Sequence, residues 1–304
     1  MTKKANVNKY LRTSTTVSRR ADLFAYPERH SWRSRMVYAS GFEEGIINVL
    51  ADPRGGLNGD SLLLFVTLCE WYLQKRVMSI EIGNVTQFAV VSTAHELVQE
   101  VLGSRNERAY DRLGLAPNVP NTYGALQRLA TTLITIDSTW INQYEEQVQV
   151  HDGFPLVIFY RWIETAGRPD RVAIVLANII QNELVNHGIT KIPTTLVRHL
   201  GVRNARALRV ALHVLSHEPL ASGQREITLT ALISIIRPDA NRMPKTHPGR
   251  FHHLVLRVVH TLNAADPDHA WQWQPAESDP LGKIVCINRK SNPAIFHDIS
   301  PNSV

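Results

Sequence analysis

The sequence predicts a mainly helical α+β fold with small β-strands, repeated in two domains in tandem. Three observations predict it. Residues 229–262 contain a short apolar helix, a turn and a longer amphipathic helix, and strand-like segments follow at 271–274 and 283–289. Residues 107–150 repeat the same order of elements. A chain of 304 residues has room for two domains of about 120 to 150 residues each. Helix, turn, helix and two strands is the order of a winged helix-turn-helix, so we predict two tandem winged-helix domains.

We expect three regions along the chain. These are a basic, mobile arm at 1–40, a first winged-helix domain at 41–155, and a second at 156–304 that ends in a C-terminal tail. The arm prediction rests on charge, because residues 1–38 carry nine lysines and arginines against two acids and show little apolar periodicity. Such an arm either contacts DNA phosphates or only aids solubility, and composition does not distinguish these two roles.

In the first domain, apolar runs and turn residues predict the elements in order. The helix over 62–73 is nearly all apolar and should form the core of the domain. Pro120 ends a turn, and Asn121 or Thr122 can cap the helix that follows. The other predicted elements are a strand at 80–82, helices at 94–102, 107–113 and 122–132, and strands at 133–137 and 147–150.

In the second domain, the same patterns predict a strand followed mainly by helices. The helix over 194–215 contains Gly201 and four arginines, which are Arg198, Arg203, Arg206 and Arg209. The other predicted elements are a strand at 156–160, helices at 171–186, 229–236 and 250–262, and strands at 271–274 and 283–289.

The helix over 250–262 has one apolar face and one polar face. Its apolar stripe has helical spacing and comprises Phe251, Leu254, Val255, Val258, Val259 and Leu262. Its outward positions are Arg250, His252, His253, Arg257, His260 and Thr261, with Leu256 as the exception. A row of hydrogen-bond donors on one helix face suits base edges and phosphates in a major groove. A solvated amphipathic helix is an equally good interpretation of this stretch alone.

The corresponding helix of the first domain carries a second candidate surface. Its buried side comprises Leu126, Leu129, Ala130 and Leu133. The polar or aromatic positions left over are Tyr123, Gln127, Arg128, Thr131 and Thr132. Gly124 lies near the start of this helix and is a poor helix former, which leaves the helix register open.

Charge and cysteine usage narrow the class of protein. The formal net charge of +6 favours a polyanionic partner, although many basic proteins bind no nucleic acid. Cys69 and Cys286 lie in apolar or strand-like stretches, which indicates buried thiols in a reducing compartment. No apolar run reaches the roughly 18 residues of a membrane span, and no secretory signal is evident. We therefore expect a cytoplasmic protein with no membrane partner.

Metal binding and catalysis find little support in the sequence. His252 and His253 are adjacent, so they point about 100 degrees apart on a helix. His213 and His217 share a helix face, but no third ligand is evident beyond Glu218. The chain has no His-x-His motif of the kind a nickase needs, and its one glycine-rich stretch lacks the Lys and Ser or Thr of a phosphate-binding loop. We expect no catalytic residues, metal or cofactor.

Three stretches resemble plasmid replication initiators of the iteron-binding, theta-replication class. They are Tyr110-Asp111-Arg112-Leu113-Gly114-Leu115, then Ala125-Leu126-Gln127-Arg128-Leu129 leading into Leu133-Ile134-Thr135-Ile136, and the helix over 250–262 with the strand-like segments after it. The resemblance covers roughly residues 45–290. It implies two tandem winged-helix domains.

The resemblance also implies a function. The second domain would dock its recognition helix in the major groove of directly repeated origin sites, through Arg250, His252, His253, Arg257 and His260. Tyr123, Gln127, Arg128 and Thr131 would be the matching surface of the first domain, which would also take part in homodimer formation. Proteins of this class open an origin, repress their own promoter, and recruit the host initiator and the replicative helicase; such a protein would be associated with the nucleoid or a plasmid.

Two other hypotheses remain open from the sequence. A transcription regulator with two DNA-binding domains needs the same groove chemistry, so sequence separates it poorly from an initiator. A protein-binding adaptor is the third hypothesis, and it would lack salt-dependent affinity for DNA.

Overall fold

The structure is a computed structural model that confirms an α+β fold of helices and antiparallel sheets. It describes residues 10–25, 32–37, 44–50, 56–104, 106–116, 123–141, 147–165, 168–186, 188–201, 203–217, 224–227, 229–236, 247–266, 271–276 and 279–288. The chain divides into two compact units. The central unit is Tyr26–Gly188, and the terminal unit joins Met1–Ala25 to Ile189–Val304.

The described helices of the central unit begin at side-chain caps and end at glycines where the sequence supplies them. The side chains of Asn58, Thr93 and Asn106 accept hydrogen bonds from backbone N–H groups in the first turns of three of these helices. Gly103 and Gly114 end two helices in the left-handed conformation, at φ 63° and 71°. The helices are α2 (Gly59–Leu73), α3 (Ala94–Leu102), α4 (Glu107–Leu113), α5 (Ala125–Thr131) and α6 (Asn178–Val185).

Two four-stranded antiparallel sheets complete the described part of the central unit. One sheet has the strand order β2 (Trp32–Val37), β3 (Glu44–Leu50), β6 (Leu133–Ile141), β7 (Gln147–Phe154). The other has the order β4 (Val77–Ile82), β5 (Val85–Thr93), β9 (Arg168–Leu176), β8 (Val157–Thr165).

The terminal unit combines both ends of the chain. From the N-terminal end come β1 (Tyr10–Ser14), α1 (Thr15–Arg19) and a 3₁₀ helix (Ala21–Ala25). From the C-terminal half come β10 (Ile189–Pro193), α7 (Thr194–Leu200), α8 (Ala205–Leu215), β11 (Gln224–Ile227), α9 (Leu229–Ile236), α10 (Pro248–Ala265), β12 (Trp271–Ala276) and β13 (Asp279–Asn288). β1 pairs antiparallel with β10, and a three-stranded sheet has the order β11, β13, β12.

The N-terminal segment, which we define as residues 10–25, is not the mobile arm that its charge predicts. Val17, Leu23 and Phe24 are buried in the terminal unit. Within the rest of the predicted arm, residues 32–37 form β2 of the central unit. Residues 1–9, 26–31 and 38–40 lie outside the described residues. Charge counting failed for the N-terminal segment because the same segment carries apolar side chains that are buried in a core, whatever the net charge of the segment.

The boundary between the units also differs from the predicted boundary at residues 155 and 156. The central unit extends to Gly188, so β8, β9 and α6 belong with the first half of the chain. β9 pairs with β5, and this pairing explains the difference. A strand contributes to the sheet in which it is paired, wherever it lies in the sequence.

Hydrogen bonds join the N-terminal segment to α8 and to Ser216, which follows the helix. The Arg19 guanidinium donates to the Ser216 carbonyl at 3.3 Å. His213 Nδ1 donates to the Arg19 carbonyl at 2.8 Å. Arg209 is buried and donates to the Phe24 carbonyl at 3.1 Å and to the Ile235 carbonyl at 3.0 Å.

Two helix predictions are wrong. Residues predicted as one helix over 171–186 form β9 and then α6, and Val172 to Ala177 are all buried. A continuous apolar run of this kind fits a strand covered on both faces as well as a helix. The helix predicted over 194–215 is broken into α7 and α8 at Gly201, which has φ 50°.

The other predicted helices are confirmed, with bounds that differ by a few residues. They are the helices predicted at 62–73, 94–102, 107–113, 229–236 and 250–262. The helix predicted from 122 begins at Ala125, and residues 117–122 lie outside the described residues. The predicted strands all lie within or overlap β4, β6, β7, β8, β12 and β13. Among the described helices, none is long and apolar enough to cross a membrane.

Candidate nucleic-acid interface

The polar face of α10 is the first candidate surface, and its position follows from the opposite face. Pro248 begins the helix, where its missing N–H costs nothing. Phe251, Val255 and Leu262 are buried together with Val258, Val259 and Ala265, whereas Leu254 is half-buried. α10 packs with this face against α7, α8, β12 and β13 of the terminal unit. The predicted apolar stripe is therefore confirmed apart from the partial exposure of Leu254.

Four outward side chains form a stripe that we call the α10 stripe. Arg250, His253, Arg257 and His260 are all exposed. At about 100 degrees per residue, they fall within about 80 degrees of the helix circumference and extend over about 15 Å of its length. The described part of α10 contains no acid. The stripe therefore offers hydrogen-bond donors and positive charge without a competing carboxylate on its own helix.

The structure does not bring His252 or Thr261 fully into this stripe. His252 is half-buried, and its Nδ1 is buried with no hydrogen-bond partner among the described residues. Thr261 is half-buried, and its hydroxyl donates to the Arg257 carbonyl at 2.7 Å. Of the five residues predicted for this surface, Arg250, His253, Arg257 and His260 lie together, and His252 lies on another side of the helix.

Polar contacts fix α10 relative to the strand that follows it. The Asn263 side chain donates to the Trp273 carbonyl at 2.9 Å and accepts from the Trp273 N–H at 3.0 Å. Asp266 is buried and accepts from the Trp271 N–H at 2.7 Å. Trp273 is itself buried. The helix and the strand pair thus form one rigid arrangement.

In the central unit, the ends of α4 and α5 meet at two glycines. Gln127 holds them, because its Oε1 accepts from the Gly124 N–H at 3.0 Å and its Nε2 donates to the Gly114 carbonyl at 3.1 Å. Gly124 is the residue before the helix rather than part of it. Its poor helix propensity therefore does not disturb the register of α5, and Gln127 has a structural role at this corner.

The remaining residues predicted for the first domain are also engaged in local contacts. Arg128 donates to the Gly56 carbonyl at 2.8 Å, and its guanidinium lies 4.9 Å from the centre of the Tyr123 ring. The Tyr123 hydroxyl lies 3.1 Å from the Thr131 hydroxyl, and Thr131 is exposed. The structure brings Tyr123, Arg128 and Thr131 together. Their contacts, however, stabilise the corner between α4 and α5.

The histidine pair considered as a metal site has another role. The Nδ1 atoms of His213 and His217 both contact backbone carbonyls, those of Arg19 and His213. Burial, and then the nearby His217, lower the pKa of His213 to about 4, so its ring is neutral. Within the described residues, no group of three or more His, Cys, Asp or Glu could hold a metal ion. Both cysteines are buried, and burial raises the pKa of the Cys286 thiol.

Further exposed cations of the terminal unit lie outside the predicted surfaces. They are Lys191, Arg198, Arg203 and Arg206. Arg209 is different, because it is buried, and burial lowers its pKa to about 10. The sequence does contain a signal for these exposed cations, since no acid occurs between Gly188 and His217. Every exposed charged side chain that the structure describes in the terminal unit is a cation.

Compared with solved structures, the chain has the fold of domains 2 and 3 of RctB. A selenomethionine derivative of these domains has a TM-score of 0.57 and 12% identity, and the match covers 90% of this chain and 97% of that chain. A second structure of RctB domains 2-3 has a TM-score of 0.54 and 10% identity, and covers 92% and 100%. At these identities the likeness concerns the fold alone.

Two other comparisons gave no match. No protein-family model matches the chain, and no curated protein matches it.

Proposed function

We propose that the chain is a sequence-specific double-stranded DNA-binding protein that initiates replication at repeated origin sites. The α10 stripe is the observation that carries the proposal. It presents two arginines and two imidazoles along about 15 Å of exposed helix. Arginine pairs bidentately with guanine in the major groove, and imidazoles donate to bases or phosphates.

The order of elements around α10 supports a winged-helix interpretation of the terminal unit. Among the described elements, the order along the chain is α8, β11, α9, α10, β12 and β13, and β11 pairs with β13. This is the order helix, strand, helix, helix, strand, strand, in which α10 takes the place of the recognition helix and β12 with β13 takes the place of the wing. In the central unit, α4, α5, β6 and β7 provide the helix, helix, strand, strand part of that order.

The replication role is supported by the resemblance of three sequence stretches to plasmid replication initiators. The fold match covers nearly all of domains 2 and 3 of RctB. We extend the proposal to the plasmid iteron-binding type, with repression of its own promoter, homodimer formation and recruitment of the host initiator and helicase. The chain would act by binding rather than by catalysis, in the cytoplasm.

A selection of bound DNA fragments tests this function. The full chain is mixed with fragments of the replicon that encodes it, at about 150 mM salt, where non-specific contacts are weak. Enrichment of short direct repeats beside an AT-rich stretch is expected. Enrichment of scattered promoters would favour a transcription regulator instead, and no enrichment would favour a protein-binding adaptor.

Replacement of Arg257 tests the α10 stripe directly. Arg257→Ala should weaken binding to the selected site by about 1 to 3 kcal/mol if the guanidinium contacts a guanine, and should weaken binding to random DNA much less. Arg171→Ala, an exposed arginine of the central unit, is the matched control. Equal losses on selected and random DNA would show that Arg257 contacts only phosphates.

A further inference from the structure

Strand β12 forms one edge of the three-stranded sheet of the terminal unit, with β13 as its neighbour. In an antiparallel strand, the N–H and C=O of one residue point to the same side, and this side alternates from one residue to the next. The Trp273 N–H donates to Asn263 Oδ1 at 3.0 Å, and the Trp273 carbonyl accepts from Asn263 Nδ2 at 2.9 Å. Trp273 therefore directs both backbone groups away from β13. By the same alternation, Trp271 and Pro275 also face this outer edge.

The end of α10 accounts for the outward N–H groups of this edge. Asp266, which follows the helix, accepts from the Trp271 N–H at 2.7 Å. Asn263 accepts from the Trp273 N–H, and Pro275 has no N–H to donate. An unpaired strand edge is otherwise open to another strand. Here the edge of β12 is closed by two side chains from one helix end, which ties the strand to α10.

Asn263 lies next to the α10 stripe. It follows His260 by three residues, which places it about 60 degrees around the helix and about 4.5 Å further along. Asn263 is half-buried, whereas Trp273 is buried. The amide offers its donor and its acceptor in a fixed geometry, so both bonds form only over a narrow range of angles between α10 and β12. This side chain therefore holds the stripe and the strand in one relative orientation.

We infer that Asn263 is a positioning residue that sets the orientation of the α10 stripe relative to β12 and β13, and thereby the selectivity for the DNA site. This inference rests on the proposed function and deepens it. Phosphate contacts fix how a protein lies on a duplex, and contacts to base edges specify the sequence. A tilt of α10 relative to the strand pair moves the Arg257 guanidinium away from the two acceptors of a guanine. Non-specific attraction to phosphates tolerates the same tilt.

The test compares the affinity of the full chain for its selected site with its affinity for random duplex DNA, well below the unfolding midpoint of each variant. Asn263→Ala removes both bonds to Trp273 and should lower the ratio of these affinities by about 10-fold, which is the discrimination typical of one bidentate arginine contact. The affinity for random DNA should change little. Val17→Ala, which removes buried side-chain atoms from the N-terminal segment of the same unit, is the control. It should lower the unfolding midpoint and leave the ratio unchanged.

Two further measurements separate positioning from folding. Asn263→Asp keeps an oxygen that accepts from the Trp273 N–H but loses the donor, so the ratio should fall less than in Asn263→Ala. The added charge weakens binding to both DNAs and cancels in the ratio. Amide hydrogen exchange of the free protein measures the local effect. In Asn263→Ala the Trp273 N–H should exchange faster, and the Trp271 N–H, which is bonded to Asp266, should be less affected.

The outcomes distinguish this inference from the proposed function. An unchanged ratio in Asn263→Ala, or an equal fall in Val17→Ala, would overturn the inference while the proposed function stands, and so would unchanged exchange of the Trp273 N–H. If Asn263→Ala does not fold, the ratio of Asn263→Asp decides, and an unchanged value overturns the inference. Absence of selective DNA binding by the unsubstituted chain would instead overturn the proposed function, and the inference with it.

Discussion

Gly124 shows how a single residue sets the corner between α4 and α5. A Cβ at this position would overlap the backbone nitrogen of Gly114 and lie 2.6 Å from the Asp111 carbonyl oxygen. Both of these atoms are backbone, so neither can move without moving the end of α4. Only glycine allows this approach.

We predict that Gly124→Ala destabilises the central unit by about 3 kcal/mol, the upper part of the usual cost of overpacking. Gly249→Ala is the control, because its added Cβ meets nothing within 4 Å and the residue lies in α10. There alanine should stabilise by about 0.5 to 1 kcal/mol. Denaturant unfolding curves of the two variants measure both effects. A similar small change in both would contradict the close approach at Gly124.

At the scale of elements, the N-terminal segment is part of a core. Phe24 and Leu23 are buried, and the Phe24 carbonyl accepts from the buried Arg209. Loss of the segment would therefore expose apolar surface and leave a buried cation with one acceptor fewer.

We predict that Phe24→Ala destabilises the terminal unit by about 3 to 5 kcal/mol, through the cavity it leaves in the core. Val185→Ala, at an exposed position of α6, is the control for a lost apolar side chain and should change stability little. Thermal unfolding of the two variants checks this prediction, and an equal loss of stability in both would contradict it.

Local patterns predicted most of the described helices but only six of the thirteen described strands, and long-range pairing explains part of what they missed. α10 was predictable because its apolar positions repeat at helical spacing, so the buried and exposed faces both follow from sequence. The strand at residues 172–177 was not predictable, because a continuous apolar run has no period that distinguishes a strand from a helix. The pairing of β1 with β10 joins segments that no local pattern connects.

The candidate surfaces were predictable to different degrees for the same reason. Arg250, His253, Arg257 and His260 share a face that helical spacing alone defines. The hydrogen bond from Gln127 to the Gly114 carbonyl joins two different helix ends, and residue spacing does not predict such a contact.

At the scale of the whole molecule, the net charge of +6 is unevenly distributed. The described exposed charges of the terminal unit are all cations, whereas α3 and α4 of the central unit also carry exposed acids, namely Glu96, Glu100, Glu107 and Asp111. A polyanion should therefore approach the terminal unit first, since attraction depends on local rather than total charge.

The buried His213 makes the stability of the molecule depend on pH. Its folded pKa of about 4 lies below the ordinary value of 6.5 because of burial first and the neighbouring His217 second, with Arg20 acting in the same direction and the Arg19 carbonyl and Asp22 opposing. Between pH 6.5 and 4, the unfolded chain binds a proton that the folded chain does not. The free energy of unfolding therefore falls as pH falls through this window, by at most about 3 kcal/mol from this group.

We predict that His213→Asn, which keeps an N–H to donate to the Arg19 carbonyl, makes the unfolding free energy less dependent on pH between 6.5 and 4. The dependence should shrink rather than vanish, because burial also lowers the pKa of His217. His199→Asn, at an exposed position on α7, is the control and should keep the full dependence. Denaturant unfolding at a series of pH values measures the three profiles. Equal slopes for His213→Asn and the unsubstituted chain would show that His213 does not resist protonation in the fold, and that the acid sensitivity has another origin.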